Sequence, residues 1–282
     1  METLKYTAVV VGAGPGGYPC AIRLGQLGVN TLCIEKEYYG GVCLNVGCVP
    51  SKALITASKT FAGAQKDYGT MGVNFDNVSF DMGQAQTWKQ SVVERMTGGV
   101  KTLLKANKVD TLFGTATAID AHTLEVETAD GKVRVECEHM VIATGSRPIQ
   151  IPGFSYADDR VMDSTKGLAL DTVPDDLVVI GGGYIGLELG IMLAKVGANV
   201  TVVEMQDNVL PGFDPEVIKL LRRKMKKLKI KVLTNAKALG WEEGEDKAVV
   251  RIETAKGEQQ LPADKILVTV GRFPNSEGWK DQ

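Results

Sequence analysis

The chain has 282 residues, enough for about two domains, and its 44% hydrophobic and 23% charged content excludes a disordered chain. Lys+Arg number 32 against 34 Asp+Glu, a net charge of −2, which argues against binding nucleic acid by neutralising phosphates. Glycine is the one excess, at 32 residues, and many of these fall in two clusters.

Residues 6–11 form an apolar run that stops at glycine and read as a buried strand. A helix is predicted from Pro15 to about Leu27, with Gly28 as its stop and Pro19 tolerated in its first turn. Residues 31–35 return to strand, which gives a βαβ opening and implies a parallel sheet covered on both faces. Residues 42–68 and 81–106 read as helices. In the second, Trp88, Val92, Val93, Met96, Val100, Leu103 and Leu104 recur at helical spacing. Residues 108–113 are a strand. Residues 115–137 alternate and contain the hairpin signal Asp130-Gly131, and 140–143 form a further strand. After a linker with Pro148, Pro152 and Gly153 the opening pattern restarts. Strand 177–180, glycine loop 181–186, helix 187–196 and strand 200–204 precede helix 215–228, strand 230–234, a β-meander over 236–260 and strand 265–270. No apolar run approaches the ~18 residues that span a bilayer, and the N-terminus has no cleavable signal pattern; no membrane association is expected.

Gly12 lies 23 residues before Glu35 and Gly181 lies 23 before Glu204, so the same βαβ unit occurs twice, 169 residues apart. Both loops, Gly12-Ala13-Gly14-Pro15-Gly16-Gly17 and Gly181-Gly182-Gly183-Tyr184-Ile185-Gly186, fit G-x-G-x-x-G between strand and helix. The first glycine makes the turn, the second lets a pyrophosphate approach the backbone, and the third lets helix pack on strand. The phosphates meet a helix N-terminus, which favours anions. Glu35 and Glu204 end the following strands, placed to accept from ribose hydroxyls. One such loop is a common glycine turn; two with matching strand, helix and acid imply two dinucleotides. Glu204 would repel a 2′-phosphate, and no arginine lies between 205 and 221, so the second nucleotide is expected to be NAD rather than NADP.

Five cysteines in a chain this long do not make a disulfide framework, and the expected compartment is reducing and cytoplasmic. Cys43 and Cys48 are five apart. A regular helix would separate their Cα atoms by roughly 8–9 Å, beyond the ~4.4–6.8 Å of a disulfide. A bridge therefore requires an irregular turn, which Gly41 and Gly47 permit. Two buried thiols, or half of a metal site, are the alternatives; with only two histidines at no ligand spacing, no metal is expected. Cys20, Cys33 and Cys137 read as inert buried thiols. Cys43 and Cys48 follow directly on the first nucleotide unit, and a dithiol beside a dinucleotide suggests FAD exchanging electron pairs with a disulfide.

The segment Gly40-Gly41-Val42-Cys43-Leu44-Asn45-Val46-Gly47-Cys48-Val49-Pro50-Ser51-Lys52 closely resembles the redox-active segment of the dihydrolipoamide dehydrogenases, within the flavoprotein disulfide reductases. Thr144-Gly145-Ser146-Arg147-Pro148 and Gly271-Arg272-Phe273-Pro274-Asn275 fit the same family, so the resemblance covers essentially the whole chain. It implies an α/β fold of two Rossmann-like dinucleotide-binding domains, each a parallel sheet with helices and a β-meander. An FAD domain is expected at 1–150, an NAD domain at 151–275, and a return towards the first at 276–282. It further implies that Cys43 is the interchange thiol, that Cys48 faces the flavin, and that Lys52 and Glu188 pair near the flavin's reactive nitrogen. FAD would be held by Gly12, Gly14, Gly17, Glu35, Lys36, Gly41, Val42, Lys52, Gly114, Thr144, Gly145 and Ser146. NAD would be held by Gly181, Gly183, Tyr184, Ile185, Gly186, Glu188, Glu204, Gly271 and Arg272, with Tyr184 either a lid over the nicotinamide or a packing residue. The implied activity passes electrons from dihydrolipoyl groups through the Cys43–Cys48 disulfide and FAD to NAD⁺. The implied partners are the dihydrolipoyl domain of a 2-oxo acid dehydrogenase complex and, in a full-length protein, a second copy.

The family's third FAD motif and its C-terminal dimerisation domain, which carries a His–Glu base, have no counterpart here, so a truncated chain, inactive alone, is expected. His122 and His139 are expected to be structural. Mercuric and glutathione reductases share the cysteine spacing, and a non-catalytic nucleotide-binding fragment is the reading from another class. Finally, residues 219–231 hold eight Lys/Arg, a solvated helix face or a docking patch for an acidic partner.

Overall fold

The computed structural model describes residues 2–66 and 68–279. In chain order the elements are β1 (Glu2–Val11), α1 (Tyr18–Gln26), β2 (Thr31–Glu35), α2 (Gly41–Val46), α3 (Cys48–Lys66), α4 (Met82–Ala106), β3 (Asp110–Phe113), β4 (Thr115–Asp120), β5 (Thr123–Thr128), β6 (Gly131–Ile142), β7 (Ser146–Pro148), β8 (Val161–Met162), α5 (Ser164–Leu168), β9 (Asp176–Ile180), α6 (Tyr184–Lys195), β10 (Asn199–Val203), α7 (Pro215–Lys227), β11 (Lys231–Leu233), β12 (Lys237–Glu243), β13 (Ala248–Thr254), β14 (Gly257–Ala263), β15 (Lys265–Val268) and β16 (Arg272–Pro274). They form two compact units. The first comprises residues 1–50, 90–147 and 273–282, the second 51–89 and 148–272.

The first unit is built on a six-stranded sheet of order β3-β2-β1-β6-β5-β4. β1, β2 and β3 run parallel, and β1 is parallel to β6. β6 is one strand where the sequence suggests two. Its first half pairs antiparallel with β5 across the Asp130-Gly131 turn, while residues from Val133 to Ile142 follow β1 in parallel. All five residues of β2 are buried, as a sheet covered on both faces requires. α1 starts three residues later than the apolar pattern suggests. The amides of Gly17 and Tyr18 both donate to the Gly14 carbonyl, so a turn precedes the helix, and Pro19 falls in its first turn.

The second unit repeats the plan with a parallel sheet, β11-β10-β9-β15-β8, and adds the antiparallel meander β12-β13-β14. β8 and α5 have no sequence signature, being two and five residues long. Residues 51–89, expected with the first nucleotide unit, cluster with this one. Leu54 of α3 and Met82 and Ala85 of α4 share a core with Leu168, Leu177, Leu187 and Leu189. Gln86 adds Nε2–H bonds to the carbonyls of Leu168 (3.1 Å) and Leu170 (2.7 Å).

Candidate functional site

The two glycine loops are built alike and separate their glycines into two kinds. A Cβ on Gly12 would lie 2.2 Å from the Ala143 carbonyl oxygen, and one on Gly17 only 1.8 Å from that of Gly12. In the second loop a Cβ on Gly181 would lie 2.7 Å from the Thr269 carbonyl oxygen, and one on Gly186 2.3 Å from the Thr269 hydroxyl. These four glycines are dictated by the fold. The middle glycines are not. A Cβ on Gly14 would meet only Gly41 Cα, at 3.7 Å, and one on Gly183 only the Thr269 oxygen, at 4.0 Å. Neither has positive φ. At 14 and 183 a Cβ would make only ordinary contacts, so the fold by itself does not require glycine there, whereas a pyrophosphate approaching the backbone would.

Each loop is tied to the acid that ends the next strand. Glu35 is buried and its Oε2 accepts from the Ala13 amide at 2.7 Å, while Oε1 accepts from the amides of Lys36 (2.9 Å) and Glu37 (2.8 Å). Glu204, equally buried, accepts from Gly182 N (2.6 Å) and Gln206 N (2.7 Å). Each Oε2 bonded to one loop amide keeps a second lone pair for a ribose hydroxyl. The residues present fit a dinucleotide at each loop. The fit rests on a side-chain-free approach at Gly14 and Gly183, helix N-termini at α1 and α6, and a carboxylate at the floor.

The cysteine segment is stitched to the first loop. The Gly40 amide donates to the Ala13 carbonyl at 2.8 Å. Gly41, at φ +58°, packs so closely on Gly14 that a Cβ would lie 2.5 Å from its Cα. α2 then carries Cys43 and ends at Gly47, and α3 starts at Cys48. The irregular turn that a bridge requires is thus present. A Cβ on Gly47 would lie 2.9 Å from the Val42 oxygen and 3.3 Å from Cys43 Cα, so the break between the two helices requires glycine. Cys43 is half-buried and Cys48 exposed. Cys48 opens a 19-residue helix. Cys33 is buried within the same compact unit. Burial, with Glu35 and Cys20 nearby, pushes its thiol up to about 12. Burial likewise raises Cys137.

Lys52 lies one turn into α3 from Cys48, and its Nζ donates to both carboxylate oxygens of Glu188 on α6, at 2.6 and 2.7 Å. With side chains 60% and 39% exposed, such a pair contributes little stability. Gly114 is fixed by the fold: its amide donates to the Glu35 carbonyl (2.8 Å) and a Cβ would lie 2.6 Å from the Glu127 oxygen. Gly145 and Gly271 have positive φ, +74° and +137°. Lys36 is exposed, and Val42, Ser146, Ile185 and Arg272 are half-buried. Tyr184 is 60% exposed, so packing does not account for it. His122 Nδ1 lies 3.1 Å from the Cys137 carbonyl oxygen in the β4–β5 turn, and His139 is on β6.

Sequence reasoning missed three positioning groups. Asn45 donates from Nδ2 to the carbonyls of Tyr39 (3.0 Å) and Gly41 (2.9 Å), holding α2. Asn275 donates to the Thr144 carbonyl (3.0 Å), and its own carbonyl accepts from the Thr144 hydroxyl (2.6 Å). Arg147 binds Glu277 at 2.7 Å and stacks over Phe273 at 4.8 Å. The sequence signal for the last two was their place inside the segments Thr144-Gly145-Ser146-Arg147-Pro148 and Gly271-Arg272-Phe273-Pro274-Asn275. No helix among the described residues is long and apolar enough to cross a membrane.

The family described as pyridine nucleotide-disulphide oxidoreductase matches residues 6–282. The dihydrolipoyl dehydrogenase of Geobacillus stearothermophilus is 47% identical over 274 residues, covering 97% of this chain and 58% of its own length. That of Haloferax volcanii is 47% identical over 270 residues, covering 94% of this chain and 56% of its own length. Among solved structures, LpdA from Mycobacterium tuberculosis superposes with TM-score 0.87 at 25% identity, over 97% of this chain and 60% of that one. The HOCl-induced flavoprotein disulfide reductase RclA from Escherichia coli gives 0.82 at 28%, over 97% and 58%. The chain thus spans just under three fifths of the length of these relatives.

Proposed function

Because the chain belongs to the pyridine nucleotide-disulphide oxidoreductases, we propose that it carries the two nucleotide sites and the redox-active pair of a dihydrolipoyl dehydrogenase. The observation that carries this reading is the stitching of the Cys43–Cys48 turn to the first glycine loop through Gly40 and Gly41. Cys43 and Cys48 therefore follow a segment bonded to the Gly12–Gly17 loop within one compact unit, which supports a thiol pair working against a dinucleotide held at that loop.

In the oxidised protein, a thiolate of a dihydrolipoyl group attacks Cys43 Sγ. The Cys43–Cys48 bond breaks and a mixed disulfide forms at Cys43. Cys48, at the start of α3, leaves as a thiolate. The choice of Cys43 as the attacked sulfur follows from the family resemblance. The second substrate thiolate then attacks its own partner sulfur in the mixed disulfide. Lipoyl disulfide is released, and the protein is left with the dithiol and the substrate's electron pair. FAD held by Gly12, Gly14, Gly17 and Glu35 would supply a two-electron carrier between the dithiol and NAD⁺. Lys36, Gly41, Val42, Gly114 and Thr144-Gly145-Ser146 would complete the FAD site. Lys52, held by Glu188, would set a positive charge one turn from Cys48. Glu204, Gly181, Gly183 and Gly186 would hold NAD⁺, with Ile185, Gly271 and Arg272 beside it. Tyr184 would close over the nicotinamide. The same reading gives the whole protein a dihydrolipoyl domain of a 2-oxo acid dehydrogenase complex as partner, a dimeric state and a cytoplasmic location.

The test is optical. The chain loaded with FAD should be yellow, bleach with dihydrolipoamide, and recover its colour on addition of NAD⁺. Cys48→Ser should bind FAD and not bleach with the dithiol. A yellow Cys48→Ser protein that dihydrolipoamide still reduces would overturn the assignment, and a colourless chain that binds only NAD⁺ would favour a nucleotide-binding module.

A further inference from the structure

The chain is close to neutral, but its charge is unevenly spread. Nine Lys/Arg and no Asp/Glu occur between Val217 and Trp241, leaving 23 basic residues against 34 acidic elsewhere. α7 buries Ile218 and Met225 in its unit's core and turns the other way Lys219, Arg222, Arg223, Lys224, Lys226 and Lys227, all exposed. None of these six forms an ion pair among the described residues; Arg222 donates to Asn208 Oδ1 at 3.1 Å. The basic field extends beyond α7. Burial lowers the Lys195 ammonium on α6, and Lys59 on α3 and Lys224 on α7 lower it further. Three helices thus bring like charge to one place. On the same outer face Val217 and Leu220, one helical turn apart, are 51% and 54% exposed, with Phe213 just ahead at 53%.

We propose that the outer face of α7 docks an acidic protein segment that carries apolar side chains. Unpaired like charges on a folded surface are unfavourable until a counter-charge arrives. An aliphatic centre at Val217 and Leu220 adds what a purely ionic ligand cannot use. The patch is short: 13 residues of helix span about 20 Å. That length suits a short segment better than the extended contact of a nucleic-acid duplex or an anionic bilayer. A short acidic segment stays within the basic field.

The experiment uses the full chain and a fluorescent peptide of repeating Glu-Glu-Leu, read by anisotropy at low and high salt. Saturable binding that weakens with salt is expected. The triple variant Arg223→Glu/Lys224→Glu/Lys227→Glu should weaken it by at least about tenfold. Leu220→Ser should weaken it about tenfold, as loss of one buried leucine implies. Lys105→Glu, exposed on α4, serves as the control and should leave binding unchanged. Circular dichroism confirms that the surface variants are folded. Binding that survives the triple reversal overturns the proposal. So does polyglutamate binding as tightly as the peptide, which would remove the apolar contribution. Tighter binding to duplex DNA or to phosphatidylserine vesicles overturns it in favour of those ligands.

Discussion

The two kinds of glycine in the loops predict opposite phenotypes for substitutions three residues apart. Gly183→Ala places a methyl where its nearest neighbour is 4.0 Å away. Gly183 is the N-cap of α6 at φ −74°, ψ 171°, a conformation alanine adopts readily. Losing glycine at an N-cap costs a few tenths of a kcal/mol or somewhat more. The smaller entropy of the unfolded chain returns about 0.4–1 kcal/mol. Stability should therefore stay within about 1 kcal/mol of the parent. Gly186→Ala instead drives a methyl to 2.3 Å from the Thr269 hydroxyl and 2.7 Å from the Gly181 carbonyl oxygen. Backbone must move, at a cost of about 3 kcal/mol or more. Nucleotide affinity inverts the order of interest. The Gly183 methyl would occupy the approach of the pyrophosphate, and an overlap of about 1–3 kcal/mol weakens NAD⁺ roughly 5- to 150-fold. Urea unfolding without nucleotide gives the first quantity and calorimetric NAD⁺ titration the second. A stable Gly183→Ala protein that binds NAD⁺ as the parent does would refute the reasoning, as would a Gly183→Ala protein that unfolds like Gly186→Ala. Gly14→Ala and Gly17→Ala pose the same question for FAD.

Glu204→Gln should destabilise the nucleotide-free chain by about 2–3 kcal/mol, because an amide can keep only one of the two carboxylate acceptor positions and turns N–H against N–H at Gly182 or Gln206. An unfolding midpoint equal to the parent's would show that these bonds are not maintained. Gly47→Ala pushes a methyl against the Val42 oxygen and Cys43 Cα. If that costs the bridged turn about 1–3 kcal/mol, the Cys43–Cys48 reduction potential rises by roughly 20–60 mV, measured against a glutathione buffer. Iodoacetamide at neutral pH should modify Cys48 first, Cys43 next and Cys33 last, since Cys33 is buried with its thiol near 12; peptide mapping by mass spectrometry gives the order. Burial pushes Asp264 up, but the Asp176 amide and the Lys247 ammonium outweigh it and hold the carboxyl below its ordinary 3.8. A depressed carboxyl contributes stability that is present above 3.8 and lost as pH falls through the lower folded value. Asp264→Asn should therefore lose stability at neutral pH and show a flatter decline in acid, read from urea midpoints across pH.

Local order made the repeat legible. Glycine, strand and acid lie within 23 residues in each copy, and the same hydrogen bond, from the loop's second amide to the strand-end carboxylate, closes both. Long-range order was not legible. β6 runs antiparallel to one neighbour and parallel to another, and no local pattern marks where one pairing hands over to the other. The periodicity of α4 identified a helix but not its buried side. Val93, Val100 and Leu104 are buried, while Trp88, Met96 and Leu103, on an adjacent stripe, are exposed. Residues 51–89 follow the first nucleotide unit in sequence, yet Leu54, Met82 and Ala85 find their apolar partners beyond Pro148.

The same distinction decides which site residues argue for function. Gly12, Gly17, Gly114, Gly181 and Gly186 would be glycine in this fold whether or not it met a ligand, because backbone or packed side chains fill the space a Cβ would need. Glu35 and Glu204 likewise earn their burial by holding loop amides. Functional evidence therefore rests on residues that packing leaves unexplained: Gly14 and Gly183, where a Cβ would make only an ordinary contact, Tyr184 turned to solvent, and Cys48 exposed at the start of a long helix. A chain selected for folding alone has no reason to keep these four together with the two glycine-rich turns. That combination supports the proposed reading: a thiol pair with a nucleotide site in the first unit, and a second nucleotide site in the other.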